Sequence, residues 1–174
     1  FLLQEGAAHV VAYDVAYGEL HWSLRTDERV TVIERANARR MSVGELPYRP
    51  DLVVADVSFI SLSKVLPAVL ACTAAEGFDA LAMIKPQFEV GRDKIGSGGV
   101  VRDAGDRRDA LISVARSARD EAGASVLGFA SSGLPGPKGN LESFVWLAES
   151  GRAGALDDEG IVAAAAAVEA GAAS

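Results

Sequence analysis

The sequence has little of what builds disulfides and metal sites. Its 174 residues include one cysteine and two histidines, and no cluster of histidine, cysteine and carboxylate residues has the spacing of metal ligands. We therefore expect no structural or catalytic metal. The lone Cys72 excludes an internal disulfide. Its apolar neighbours predict a buried thiol in a cytoplasmic protein rather than a catalytic nucleophile.

Long apolar runs and an excess of positive charge are also missing. A membrane-spanning helix needs about 18 or more apolar residues, and the alanine-rich stretch 161–168 is far shorter, so we expect no membrane span. The formal net charge is -7. Contact with nucleic acid would therefore need a local basic cluster or a separate basic module.

The front of the chain lacks an initiator methionine, and it has neither the basic start nor the cleavage site of a signal peptide. Residues 1–6 are typical of the last turn of a helix closed by glycine. We expect the chain to be truncated at its N-terminus.

One stretch, LAMIKPQFEVG at 81–91, predicts a buried strand that ends in a cation. Apolar residues run into Lys85, and Pro86 follows at once. Proline has no N–H for a strand ladder and holds the preceding residue extended, which fixes the direction in which Lys85 leaves the sheet. Ligands of open α/β sheets bind outside the carboxyl ends of the strands. Lys85 is therefore the leading site candidate.

Strands and helices alternate along the chain, which predicts an α/β fold with a mostly parallel, doubly wound sheet. We predict strands at 9–14, 30–34, 51–57, 78–85, 125–130 and 141–148. We predict helices at 18–26, 61–73 (with a kink or late start at Pro67), 104–123 and 157–170. The segments 86–103 and 131–140 are predicted loops. The second has ten residues, too few for a parallel crossover, so the last strand should be antiparallel. Residues 1–150 form the predicted domain, and 151–174 a C-terminal linker and helix.

Four motifs then carry a family resemblance: ADVSFISL at 55–62, IKPQFEVG at 84–91, GSGGV at 96–100 and LPGPKGNLESF at 134–144. They resemble the TlyA family, historically labelled hemolysins, which is similar to FtsJ-type ribosomal-RNA 2′-O-methyltransferases. The resemblance implies a Rossmann-like methyltransferase sheet. It also implies transfer of a methyl group from S-adenosylmethionine to the ribose hydroxyl of a cytidine in 16S or 23S ribosomal RNA, with ribosomal subunits as partners.

The same resemblance implies parts that this chain lacks. Such proteins begin with a small RNA-binding domain, followed by a first strand and a glycine-rich cofactor loop. That strand lies between the second and fourth strands, so its absence should leave a gap or force two strands together. We expect this chain alone to bind S-adenosylmethionine weakly or not at all, and to be inactive alone.

The resemblance also implies catalytic residues. FtsJ-like enzymes have a lysine, aspartate, lysine, glutamate set, of which the last three fall on Asp56, Lys85 and Glu142. Lys85 would act on the hydroxyl as base or charge stabiliser, Asp56 would orient it and face the methyl donor, and Glu142 would hold the lysines or ribose. Each residue also has a structural alternative. Asp56 could cap a turn, Lys85 could extend from the strand end into solvent, and Glu142 could be a surface residue on an edge strand.

Further residues are candidates for binding. Asp14 closes the second strand of such a sheet, where an acidic residue binds the ribose of a nucleotide, although it could instead cap a turn. Asn37 resembles the residue that reads adenine, and Asp56 would also contact the cofactor. Four cations on loops could contact RNA phosphates or could be ordinary solvated charges: Arg92, Lys94, Arg102 and Lys138.

Two rival functions remain at this point. A membrane-active hemolysin would need a long apolar or basic amphipathic segment, and the sequence has none. A non-catalytic RNA-binding scaffold would have lost its cofactor site.

Overall fold

The computed structural model describes residues 1–172. Its strands are β1 Val10–Tyr13, β2 Val30–Ile33, β3 Leu52–Ala55, β4 Asp79–Ile84, β5 Ser125–Pro135 and β6 Leu141–Ala148. Its α-helices are α1 Trp22–Arg25, α2 Leu66–Leu70, α3 Pro86–Glu89, α4 Ala104–Ala122 and α5 Asp158–Ala172.

The strands form two sheets. β1 and β2 pair in parallel, and the other four lie in the order β3-β4-β6-β5. Within the larger sheet β3 and β4 are parallel, whereas β6 is antiparallel to both of its neighbours. The predicted α/β fold with an antiparallel last strand is therefore confirmed. β1 and β3 stand where the family has its second and fourth strands. They belong to separate sheets, so the absence of the first strand leaves a gap and does not force these two strands together.

The core lies on one face of the larger sheet. Ala80, Ala82 and Ile84 alternate along β4 with more exposed residues and are buried against helical side chains of α2, α4 and α5. The opposite face exposes a row of apolar side chains in register across three strands: Val54, Leu81 and Trp146. Cys72 is buried as predicted, and burial raises the pKa of its thiol.

Several helix ends follow the sequence signals. The Asp103 carboxylate accepts the Asp106 N–H at the start of α4, and Gly123 ends that helix at φ 68°. A late start at Pro67 is confirmed, since a 3₁₀ turn precedes α2 and the proline lies in the first turn of the helix. Asp157 accepts the Gly160 N–H at the start of α5. The predicted C-terminal segment 151–174 ends with two residues that lie outside the described part.

The two long loops were predicted wrongly in part. Residues 86–103 begin with the helix α3, because Pro86 fits the first helical position, where its missing N–H costs no hydrogen bond. Residues 131–135 extend β5, because Ser131 pairs with Ser143 and Pro135 with Leu141 on β6, with a register shift between the two pairs. The connection to β6 is therefore shorter than the sequence indicates.

Candidate active site

A lysine and an aspartate meet at the carboxyl edge of the larger sheet. Asp56 follows the last residue of β3, Lys85 follows the last residue of β4, and these strands are parallel. The Nζ atom of Lys85 lies 2.6 Å from Oδ1 of Asp56 and donates to Oγ of Ser58 at 3.1 Å. The lysine side chain is 14% exposed and that of Asp56 is 64% exposed. The amine is thus held by two partners, both of which are exposed to solvent.

Glu142 lies at the same edge. The last pair between β4 and β6 joins Ile84 to Ser143, so the next step of the register puts Lys85 opposite Glu142. The Glu142 side chain is buried, and its Oε1 accepts a hydrogen bond from Nε2 of Gln87 at 3.3 Å. The structure therefore brings all three predicted catalytic residues to one edge, with the direct ion pair between Asp56 and Lys85.

Gln87 has an amide oxygen without a partner. Among the buried side-chain atoms of residues 1–172, this Oε1 is the one that makes no hydrogen bond. Buried polar atoms are rarely left unpaired. The atom is an unpaired acceptor near Glu142 that solvent does not reach in this conformation. The sequence analysis did not single it out, although Gln87 lies inside the motif that starts at Ile84.

Phe59 is exposed in an unusual backbone conformation. Its φ is 63°, in the left-handed region that non-glycine residues rarely adopt. The residue is 91% exposed, and its ring lies 5.3 Å from that of Phe88. Such strain in a non-glycine residue is often found at functional sites. Sequence analysis missed Phe59, although a phenylalanine three residues after Asp56 in a polar loop was a signal.

Glu89, the last residue of α3, holds the segment that follows β3. Its Oε2 accepts from Oγ of Ser61 at 2.6 Å and its Oε1 accepts from the Leu62 N–H at 2.8 Å. Burial raises the pKa of the Glu89 carboxyl, against the opposing effect of these two hydrogen bonds. This glutamate, which the sequence analysis also missed, fixes the loop after β3 relative to α3.

The predicted cofactor residues lie at the carboxyl ends of β1 and β2. Asp14 is exposed, and its Oδ1 accepts the Ala16 N–H at 2.8 Å. Asn37 is exposed, and its Oδ1 accepts the Arg39 N–H at 3.1 Å. Each therefore stabilises a local turn. Asp56 lies at the end of β3 in the other sheet.

The four predicted RNA-binding cations are exposed around the glycine-rich loop 96–100, whose ends are bridged. Lys94 is not a free cation, since its Nζ lies 2.7 Å from Asp106, which raises the pKa of the lysine. A Cβ on Gly96 would lie 2.9 Å from Nη1 of Arg102, and one on Gly99 would lie 3.8 Å from Nζ of Lys138. Two cations thus approach this loop closely.

A family assignment follows from the comparisons with known proteins. The model of the FtsJ-like methyltransferase family matches residues 1–149. The chain belongs to this family.

Curated proteins similar in sequence to this FtsJ-like chain are named as rRNA methyltransferases. It is 53% identical over 146 residues to the 16S/23S rRNA (cytidine-2′-O)-methyltransferase TlyA of Mycobacterium tuberculosis, covering 84% of this chain and 54% of that protein. It is 40% identical over 146 residues to the putative rRNA methyltransferase YqxC of Bacillus subtilis, covering 83% and 51%. The FtsJ-like chain thus spans about half the length of these curated relatives.

A solved structure has the same fold. The putative hemolysin from Streptococcus thermophilus superposes with a TM-score of 0.87 at 35% identity, covering 97% of the FtsJ-like chain and 61% of that one. Within residues 1–172, no helix combines the length and apolarity that crossing a membrane requires. The described part of the chain also holds no group of three or more histidine, cysteine and carboxylate residues that could bind a metal ion.

Proposed function

We propose that this chain is the methyltransferase domain of an enzyme that methylates the 2′-oxygen of a cytidine ribose in ribosomal RNA, with S-adenosylmethionine as donor. Membership of the FtsJ-like family and the identity to TlyA support the reaction class and the substrate. The observation that carries the proposal is the ion pair of Lys85 and Asp56 beside buried Glu142 at the carboxyl edge of the sheet.

Residues at the carboxyl ends of the smaller sheet, β1 and β2, fit the nucleoside part of the donor. Asp14 and Asn37 are exposed polar side chains at the ends of neighbouring parallel strands, and a carboxylate in this position binds ribose hydroxyls in nucleotide-binding sheets. Asp14 would hold the ribose, Asn37 would contact the adenine, and Asp56 would face the methyl-bearing end. When bound, S-adenosylmethionine supplies an electrophilic methyl group on a sulfonium.

Lys85 acts on the ribose hydroxyl. A hydroxyl is a poor nucleophile at neutral pH, so the site must align its oxygen and stabilise the negative charge that develops as the proton leaves. Because the amine is paired with a carboxylate at 2.6 Å, we assign Lys85 the role of a charged donor to that oxygen rather than that of a base. Asp56 and Ser58 orient the amine, and the hydroxyl proton passes to solvent water.

Glu142 and Gln87 hold the ribose. The Glu142 carboxylate accepts from the Gln87 amide, and the unpaired Gln87 oxygen, which is buried in this conformation, would become an acceptor for a donor on the substrate once the side chain turns outward. A neighbouring ribose hydroxyl is such a donor. This arrangement would fix the sugar, so that its 2′-oxygen points at Lys85.

Phe59 and the basic loops bind the RNA around the target nucleotide. Bases of unpaired nucleotides stack on exposed aromatic side chains, and Phe59 presents its ring three residues from Asp56. The cations Arg92, Arg102 and Lys138 contact phosphates. Lys94, already paired with Asp106, contributes less.

Methyl transfer to purified ribosomal subunits tests the proposal. In this and every later activity measurement the enzyme is the complete protein of which we propose that this chain is the methyltransferase domain, because the chain alone is expected to be inactive. With labelled S-adenosylmethionine, Lys85→Ala should lower kcat by about 100-fold or more, the scale of losing a donor to a developing oxyanion. Asp56→Asn should also lower kcat. The matched controls are Lys64→Ala, an exposed lysine, and Asp51→Asn, at the other end of β3. Full activity of folded Lys85→Ala protein would contradict the assigned role.

Two further measurements separate the alternatives. Leakage of liposomes without any methyl transfer would favour a membrane-active hemolysin, and binding of subunits without methyl transfer would favour an RNA-binding scaffold. For the 174-residue chain alone, calorimetric titration should show weak or no binding of S-adenosylmethionine, because neither β1 nor β2 is followed by a glycine-rich segment that could hold its methionine end. Low-micromolar affinity would overturn that prediction.

A further inference from the structure

A buried ion pair joins the C-terminal helix α5 to α4. Arg107 and Glu169 are each 7% exposed. Nε and Nη2 of the arginine lie 2.9 Å and 2.8 Å from Oε2 of the glutamate. Burying two charges is costly, and apolar residues of similar volume often stabilise a helix contact as well or better. We therefore expect this ion pair to have a role besides packing the two helices together.

The arginine also holds the loop 96–102. Its Nη1 donates to the carbonyl oxygens of Val101 at 3.3 Å and Arg102 at 2.8 Å. From the other side, Oδ1 of Asn140 accepts the Val101 N–H, and Nδ2 of Asn140 donates to the Gly99 carbonyl. Two side chains thus fix four backbone groups of a loop with three glycines. Glycines leave its shape dependent on such bonds.

We infer that Glu169, through Arg107, positions the loop 96–102 so that Arg102 and Lys138 face the phosphates of the RNA. Glu169 lies beyond residue 149, where the family match ends, so a helix outside the matched region sets the loop. Both are positioning residues, which do not touch the substrate. This inference rests on the proposed function for its consequence, though not for the contact itself.

The double variant Arg107→Met/Glu169→Leu tests the inference. It removes both charges together, so α5 should stay docked through Ile161 and Ala165, which are fully buried, while the loop loses its donor. Hydrogen exchange should be about tenfold faster in peptides covering 96–102 and unchanged in those covering 158–170. The KM for ribosomal subunits should rise about tenfold, while kcat stays within about twofold of the unsubstituted value. The slope of log KM against log salt concentration should fall by about the amount that one phosphate contact contributes.

A matched control is Asp158→Asn. Arg116 and Arg119 also join α4 to α5 through Asp158, at the surface and away from the loop, so this variant should change neither exchange in 96–102 nor KM. Arg107→Lys is a second test should the double variant undock α5. It keeps a positive charge for Glu169 but lacks the planar guanidinium that reaches the carbonyls. It should therefore show the same faster exchange in 96–102 and the same raised KM as the double variant.

Unchanged exchange in 96–102 in folded Arg107→Lys protein would overturn the inference. Faster exchange with an unchanged KM would overturn the role in RNA binding. If the complete enzyme that contains this domain methylates no RNA, the proposed function fails, and the exchange measurement still decides whether Glu169 and Arg107 hold the loop.

Discussion

At the scale of single residues, Phe59 combines a strained backbone with an exposed ring. A side chain in the left-handed region costs about 1 kcal/mol or more relative to glycine, and the ring gains little from burial because it is 91% exposed. We therefore expect Phe59→Gly to raise the free energy of unfolding by about 1 kcal/mol and to raise the KM for RNA. Denaturant unfolding and steady-state kinetics measure the two effects.

The control for this prediction is Phe59→Ala. It removes the ring but keeps a Cβ at φ 63°, so it should raise KM without the gain in stability. A KM equal to that of the unsubstituted protein in both variants would show that the ring plays no part in substrate binding.

Glu89 gives a pH dependence whose sign follows from its burial. Burial raises the pKa of this carboxyl above its ordinary value of 4.5. The folded state therefore holds the proton more tightly than the unfolded state, and the stability that Glu89 contributes is fully present below pH 4.5. It is lost as the pH rises through the raised pKa. Glu89→Gln should remove this dependence while keeping bonds to Ser61 and Leu62.

Urea unfolding of both proteins from pH 4 to pH 8 measures this effect. The difference in unfolding free energy, variant minus unsubstituted protein, should grow as the pH rises and then level off. Taking the difference cancels other groups such as Glu149, whose pKa Arg152 lowers to about 2 and whose contribution has the opposite sign. A difference independent of pH would contradict the raised pKa.

At the scale of elements, the hairpin of β5 and β6 sets the position of Glu142. A Cβ on Gly136 would lie 2.6 Å from Oε1 of Glu142, too close for the carboxylate to stay in place. Gly136→Ala should therefore lower kcat by about tenfold or more while the protein still folds, because a small displacement of a positioned group is costly in catalysis. Methyl transfer and circular dichroism measure the two effects.

Gly128→Ala is the matched control on β5, since a Cβ there would meet no atom within 4 Å and the backbone is not left-handed. It should leave kcat unchanged. Equal activity of the two variants would mean that Glu142 does not depend on the hairpin for its position.

The same hairpin shows where sequence reasoning fails. Residues 131–135 are rich in serine and glycine and indicate a loop, yet Ser131 and Pro135 at their two ends pair with β6 across a register shift. Cross-strand pairing outweighs the local preference of these residues for turns. By contrast, β6 has the predicted bounds, because residues 144–148 form an unbroken apolar run that includes aromatic and β-branched side chains, which favour strands.

At the scale of the whole molecule, the antiparallel direction of the last strand and the edge that carries Asp56 and Lys85 were predictable. Asp56 and Lys85 each follow an apolar strand, and parallel strands bring their carboxyl ends together. The conformation of Phe59, the bonds of Glu89 to Ser61 and Leu62, and the pair of Arg107 with Glu169 were not predictable. They depend on loop geometry and on contacts between residues far apart in sequence, which periodicity does not report.

The chemical identity of the product tests the central claim most directly. Ribosomal subunits are incubated with S-adenosylmethionine and the complete enzyme that contains this domain, and the RNA is digested and analysed as nucleosides by mass spectrometry. The account predicts 2′-O-methylcytidine with the unsubstituted protein and almost none with Lys85→Ala. A methyl group on the base instead of the ribose, or equal amounts of 2′-O-methylcytidine from both proteins, would contradict it.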